Sequence, residues 1–186
     1  RRLDRPDTSG DLAFLEERRG CFVTLHDYLH RLRGCIGNFD ATHPLVDCLI
    51  DMGAAVTRDP RFVYNNPVTL HEMPNLEVEV SVLTPLEPLD DPMQLRIGVD
   101  GIYIKGEVNG QPRSGCFLPQ VAVEQGWDVE QTLSYCCAHK MGVAPDAWRS
   151  ADDHGITFSR FQSTIIAERE PGSCEPKEGG GSDGAT

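Results

Sequence analysis

The run Leu76-Glu77-Val78-Glu79-Val80-Ser81-Val82 alternates apolar and polar residues without a break. Side chains along a strand point to opposite faces in turn, so this pattern fits a sheet with one face in a core. Leu76, Val78, Val80 and Val82 are expected on the core side, with Glu77, Glu79 and Ser81 on the other. The period changes to helical between Thr42 and Thr57, where Leu45, Val46, Leu49, Ile50 and Ala54 share a face. Pro44 suits a first helical turn, and Thr42 or Asp40 is expected to cap it. The helix should stop before Asp59-Pro60-Arg61-Phe62, because the residue before a proline is pushed out of the α region.

Other strands follow from turn chemistry. Cys21 to Leu25 reads as a strand, and Leu32 to Gly37 returns after a polar connection. Further on, Leu95–Val99, Asp100-Gly101, Ile102–Val108, Asn109-Gly110 and Arg113–Phe117 read as three strands joined by two hairpin dipeptides. Leu118-Pro119-Gln120 turns the chain into a short helix through Glu124. A second helix opens at Trp127-Asp128, with capping-box spacing between Asp128 and Gln131 and a stop at Gly142. Ile156–Phe161 and Ser163–Ala167 are expected as closing strands. Residues 1–19 form a charged lead-in with a short helix around Leu12, Phe14 and Leu15, 20–170 the domain, and 171–186 an acidic Gly-rich tail expected to be disordered.

The chain has 186 residues, 39% hydrophobic and 25% charged, which fits one soluble domain with a substantial core. No apolar run is long enough to span a bilayer, and no apolar segment follows the first residues as a signal peptide requires. The net charge of −12 and the absence of a basic run argue against DNA binding, which depends on clustered cations. Cysteines stand at 21, 35, 48, 116, 136, 137 and 174. Their number is odd, no CxxC occurs and no zinc spacing is present, so they read as reduced thiols in a cytoplasmic, or nuclear, protein. His26-Asp27-Tyr28-Leu29-His30 has the histidine spacing of a zincin helix, but it lacks the glutamate and joins two strands. It is read as a hairpin loop, and neither a metal nor another cofactor is expected.

Leu32-Arg33-Gly34-Cys35-Ile36-Gly37 holds a cysteine between two glycines, with an arginine two residues before it. Glycine leaves the backbone open to close approach. On a regular strand Arg33 and Cys35 would project from one face, where a guanidinium favours the reactive thiolate. The alternative is a small buried hydrophobe on a tightly packed strand.

Taken in order, LRGCIG, the helix ending in DPRF, the EVSVL strand, IGVDGIYIK and FLPQVAVEQGWD resemble the AMMECR domain family from about Gly20 to Glu168. That family is named for a chromosomal region linked to Alport syndrome, midface hypoplasia and elliptocytosis. Its prokaryotic members are called AmmeMemoRadiSam system protein A. The resemblance implies an α+β domain of two lobes with mixed or antiparallel sheets, flanking helices and a groove between the lobes. It also implies a pathway shared with Memo-type and radical-SAM proteins. The family's motif falls on Arg33, Gly34, Cys35 and Gly37, its loop arginine on Arg61, and its LPxVA turn on Pro119 and Gln120. Phe117 stands where many prokaryotic members have Leu, and Asp100 where His is common.

Three kinds of function remain open at this point. In a binding protein, Arg33 and Arg61 would clamp a small anionic metabolite, modified peptide or nucleotide, with Gly34, Gly37, Pro119 and Gln120 offering backbone groups. In a thiol enzyme, Cys35 would be the nucleophile, and Glu79 is the best acidic candidate for a base. In an adaptor, a surface patch would dock a Memo-type or radical-SAM partner. The preferred reading is a groove lined by Arg33, Cys35 and Arg61 that binds or modifies such a ligand, rather than a chain that is catalytic alone. As alternatives to these roles, Arg61 pairs with Asp59, Glu79 is a solvated strand carboxylate, and His139 sits in a helix's last turn.

Overall fold

The computed structural model describes residues 4–39, 41–108, 110–151, 155–170 and 173–176. The chain forms two units, one from the residues up to Leu83 and from Thr164 onward, the other from Thr84–Ser163. Each carries its own sheet and core, as an α+β domain of two lobes requires.

In the first unit, β1 (Cys21–His26) lies between β2 (Leu32–Asn38) and β3 (Glu77–Leu83), antiparallel to both. The sheet continues through β8 (Ser163–Glu170) to β9 (Ser173–Pro176) in the order β2-β1-β3-β8-β9. Ser173–Pro176 pairs with β8, so this part of the expected disordered tail is a strand; residues 171–172 and 177–186 lie outside the described residues. One face of the sheet presents Val23, Leu25, Ile36, Val78 and Val80 to Leu49, Met52 and Val56 of α1 (Leu45–Val56). Beside them, Cys21 and Val82 pack with Leu45 and Cys48.

The core side of β3 is as the alternation predicts, but the opposite side is not a simple polar face. Ser81 is buried there. The start of α1 also differs from expectation. Pro44 is itself the N-cap, and the first helical N–H, that of Leu45, donates to Glu17 O at 2.8 Å. Thr42 instead hydrogen-bonds the neighbouring His43 ring, and Asp40 lies outside the described residues. The lead-in does form a short 3₁₀ helix, Gly10–Glu16.

The second unit has the strand order β4-β7-β5-β6: β4 (Glu87–Pro88), β5 (Gly101–Val108), β6 (Gln111–Phe117) and β7 (Thr157–Phe161). Val108 pairs with Gln111, so β5 and β6 form the two-residue hairpin, although Asn109 lies outside the described residues. The other expected hairpin is absent. Leu95–Val99 is not a strand, because the Asp100 carboxylate turns inward and accepts from the Arg96 backbone N–H and guanidinium. That closes a turn where Asp-Gly would have reversed two strands. Ile102, Ile104, Phe117 and Phe158 form the sheet side of this core. Leu133 of α3 (Val129–Tyr135) and Cys136, Cys137 and Met141 of the π-helical turn that follows cover them. Asp128 and Gln131 make both bonds of the capping box, and α2 (Pro119–Gln125) precedes them.

Candidate functional site

The turn between β1 and β2 is organised by Asp27. Its Oδ1 accepts the backbone N–H groups of Leu29 and Arg31 at 2.9 and 3.0 Å, and its Oδ2 accepts Arg31 Nε at 2.8 Å. The bonds from Arg31 hold the Asp27 carboxyl below its usual range. His30 takes a left-handed φ of 56° in this turn, and its Nδ1 lies 3.3 Å from Glu77 Oε2. Among the described residues no group of three or more His, Cys, Asp or Glu side chains is arranged to hold a metal ion.

Immediately after the turn, β2 carries a bulge. Leu25 pairs with Gly34 and His26 with Leu32, which leaves Arg33 as the extra residue. The bulge breaks the alternation that would have aimed Arg33 and Cys35 to one side. Arg33 is 6% exposed, and its guanidinium turns to the 66–72 loop. It donates to Glu72 Oε1 and Oε2 at 2.9 and 3.1 Å and to the Asn66 and Pro67 carbonyls. Glu72 is correspondingly held below the usual carboxylate range, chiefly by Arg33.

Beside this strap is a cavity of about 410 Å³, a volume suited to a small molecule. Asp27, Arg31, Arg33 and Glu72 supply its charge, Asn66 and Asn75 its amides, and Tyr28, Phe62, Leu32 and Leu76 its apolar surface. The two arginines are each paired with one of the two acids, so the lining is balanced in charge.

Cys35 belongs to a different cluster, centred on Asp59. The Asp59 carboxylate is 2% exposed and accepts four kinds of donor: Cys35 N, Arg61 N, Arg61 Nε and the Arg61 terminal nitrogen. The bond to its own residue i+2 is an Asx turn, a geometry that Asp before proline favours. These donors, Arg61 first, pull the Asp59 pKa down to about 2. Arg61 also donates to Cys35 O at 3.2 Å. Its pKa is raised mainly by Asp59, with a smaller part from Cys35. The cation beside Cys35 is therefore Arg61, which is half-exposed, whereas Arg33 serves Glu72.

The Cys35 sulfur is half-buried and accepts from Thr24 Oγ1 at 3.3 Å. Thr24 pairs with Cys35 on one side and Glu79 on the other, so the three form a row across one sheet face. Gly34 and Gly37 are filled by the chain itself. A Cβ at Gly34 would lie 2.5 Å from Val56 O, and one at Gly37 would enter the Phe22 ring. Pro119 and Gln120 belong to the other unit, at the start of α2. Pro119 has no N–H to offer an anion, and Gln120 Oε1 is buried without a hydrogen-bond partner among the described residues. His139 stacks on Tyr135 with ring centroids 5.6 Å apart.

Asp27 and Glu72 are not singled out as pocket residues in the sequence. Asp27 carried a usable signal, since Asp bonding to the N–H two residues on is a common turn device. Glu72 had none, because its partner lies 39 residues away.

Residues 2–166 match the AMMECR1 family model, and the chain is a member of that family. It is 44% identical over 163 residues to Protein MJ0810 of Methanocaldococcus jannaschii, covering 83% of this chain and 76% of that protein. It is 40% identical over 167 residues to Protein PH0010 of Pyrococcus horikoshii, with coverage of 84% and 76%. The crystal structure of uncharacterized protein PH0010 superposes with a TM-score of 0.81 at 37% identity, covering 94% of this chain and 85% of that one. Among the described residues no helix is long and apolar enough to cross a membrane.

Proposed function

We propose that this AMMECR1 protein binds a small zwitterionic, peptide-like ligand in the cavity beneath the β1–β2 turn. The observation that carries the reading is the balanced lining: Arg31 and Arg33 stand with Asp27 and Glu72 around about 410 Å³. A dianion would meet two acids as well as two arginines. A ligand carrying one carboxylate and one ammonium instead finds a partner for each. Tyr28 and Phe62 supply surface for an apolar side chain, and Asn66 and Asn75 for an amide. Of the small anionic metabolites, modified peptides and nucleotides suggested by the sequence, this favours the modified peptide. The family resemblance supplies the setting, a pathway with Memo-type and radical-SAM proteins.

The test is isothermal titration of the full chain with glycyl-phenylalanine, with its N-acetylated and C-amidated forms, and with inorganic phosphate. Binding of the zwitterion, weakened by either blocking group and by Asn75→Ala, supports the reading. Binding of phosphate alone, or of none of the probes, rejects it.

A second reading rests on Cys35. A half-buried sulfur that accepts a hydrogen bond from the Thr24 hydroxyl and stands beside Arg61 has two of the groups a nucleophilic thiol uses. Glu79 completes the row across that face.

A further inference from the structure

Cys21 and Cys48 play no part in either reading, yet their sulfurs lie 3.1 Å apart. Cys21 opens β1 and is held from both sides, paired with Asn38 of β2 and Val82 of β3. Cys48 lies in the first turns of α1, and the two meet in an apolar cluster with Leu45, Leu15 and Val82. The Cys21 thiol donates to the Cys48 sulfur, and that bond, together with burial, pushes the Cys21 pKa up. Cys48 is the more reachable thiol of the pair, at 7% exposed against 0% for Cys21.

We propose that Cys21 and Cys48 are a built-in cross-linking site, which a small uncharged hydroperoxide converts to a disulfide joining β1 to α1. A disulfide bond is about 2.05 Å long, so the sulfurs need to close by only about 1 Å. In the first step the Cys48 thiolate attacks one peroxide oxygen, the O–O bond breaks, and a sulfenic acid and hydroxide form. The Cys21 sulfur then attacks the Cys48 sulfur and expels the hydroxyl, which leaves as water with the Cys21 proton. With hydrogen peroxide the sum is two thiols and one peroxide giving one disulfide and two waters. Each sulfur loses one electron and the peroxide gains two. The apolar surroundings disfavour the thiolate, so the first step is slow, and they also shield the finished bond from reductants.

The site differs from the other close thiols. Adjacent Cys136 and Cys137 follow one another in the π-helical turn, where a bridge would have to distort the backbone. The cross-link would instead join residues 27 positions apart on two different elements.

The test uses the full chain, treated with hydrogen peroxide under native conditions and then blocked with N-ethylmaleimide in denaturant. Peptide mapping should find a Cys21–Cys48 linked pair, two hydrogens lighter than the separate peptides and abolished by dithiothreitol. The oxidised protein should melt roughly 5–10 °C higher than the reduced one, as expected for closing a loop of this length. Cys48→Ser should remove both the linked pair and the shift. Recovery of Cys21 and Cys48 as blocked thiols, oxidation of Cys48 to sulfinate without a link, or linkage of other cysteines instead would overturn the proposal. The mapping on the unsubstituted chain decides it even where the variant fails to fold.

Discussion

The Asp59 carboxylate takes the backbone N–H of Cys35 at 2.9 Å, fastening the loop behind α1 to the middle of β2. The same carboxylate orients Arg61, so a single buried charge positions both the motif cysteine and the cation beside it.

Asp59→Asn keeps the shape of this hub but halves its accepting capacity, and should cost about 2–3 kcal/mol near neutral pH. The folded-state pKa of about 2 is depressed below the unfolded value. The native charge therefore stabilises fully above about pH 4 and its contribution is lost as the pH falls through 2. Urea denaturation of both proteins across this range should show the gap between them narrowing with acid. A gap that is constant with pH would contradict the role given to the charge.

Gly34→Ala and Gly53→Ala should act in opposite directions. The first drives a methyl group against the Val56 carbonyl, part of the backbone at the end of α1, and should destabilise by about 1–3 kcal/mol. Gly53 lies within α1 with nothing near its missing Cβ, so alanine there should stabilise by roughly 0.5–1 kcal/mol. Chemical denaturation of the two variants measures both.

Thiol labelling separates the two arginines. The labelling rate of native Cys35 should fall in Arg61→Ala, since that side chain touches Cys35, and be little changed in Arg33→Ala. Arg33→Ala should instead lower stability by releasing Glu72 and two loop carbonyls. Cys136 and Cys137, buried with raised pKa values chiefly through desolvation, should label only after unfolding. Time-resolved mass mapping of alkylated peptides resolves each site.

These outcomes also mark what was legible in the sequence. The β3 alternation, the capping box and the DPRF stop each depend on neighbours within a few residues, and the structure contains all three, whereas the buried face of α1 is turned: Leu45, Cys48, Leu49, Met52 and Val56 pack in the core and Ala54 is exposed. Asp-Gly at 100–101 misled because Asp100 found a cation at Arg96, and a buried carboxylate with an arginine partner outweighs a local turn preference. The shared face of Arg33 and Cys35 failed for a related reason. One extra residue in β2 resets the alternation, and nothing in LRGCIG itself signals a bulge. Pocket residues such as Asn66, Glu72 and Asn75 are brought in by the chain path, which composition and periodicity do not encode.

The Asp100 turn gives a further comparison. Asp100→Ala strips the Arg96 backbone and side chain of a buried acceptor and should cost about 1–3 kcal/mol. Glu87→Ala removes the exposed partner of Arg160 and should change stability by less than about 0.5 kcal/mol. Thermal melts of the two variants test the contrast.

Because β8 returns to β3 only after Thr84–Ser163 have been made, the two units differ in when they can be finished on the ribosome. The inserted unit is complete in sequence at Ser163, while the edge of β3 awaits a strand that has not yet emerged. For the time needed to synthesise the whole insert, that row of backbone donors and acceptors stands open to foreign strands. Glu77 and Glu79 put charge on the strand whose edge waits in this way, and charged side chains on an edge strand disfavour foreign pairing.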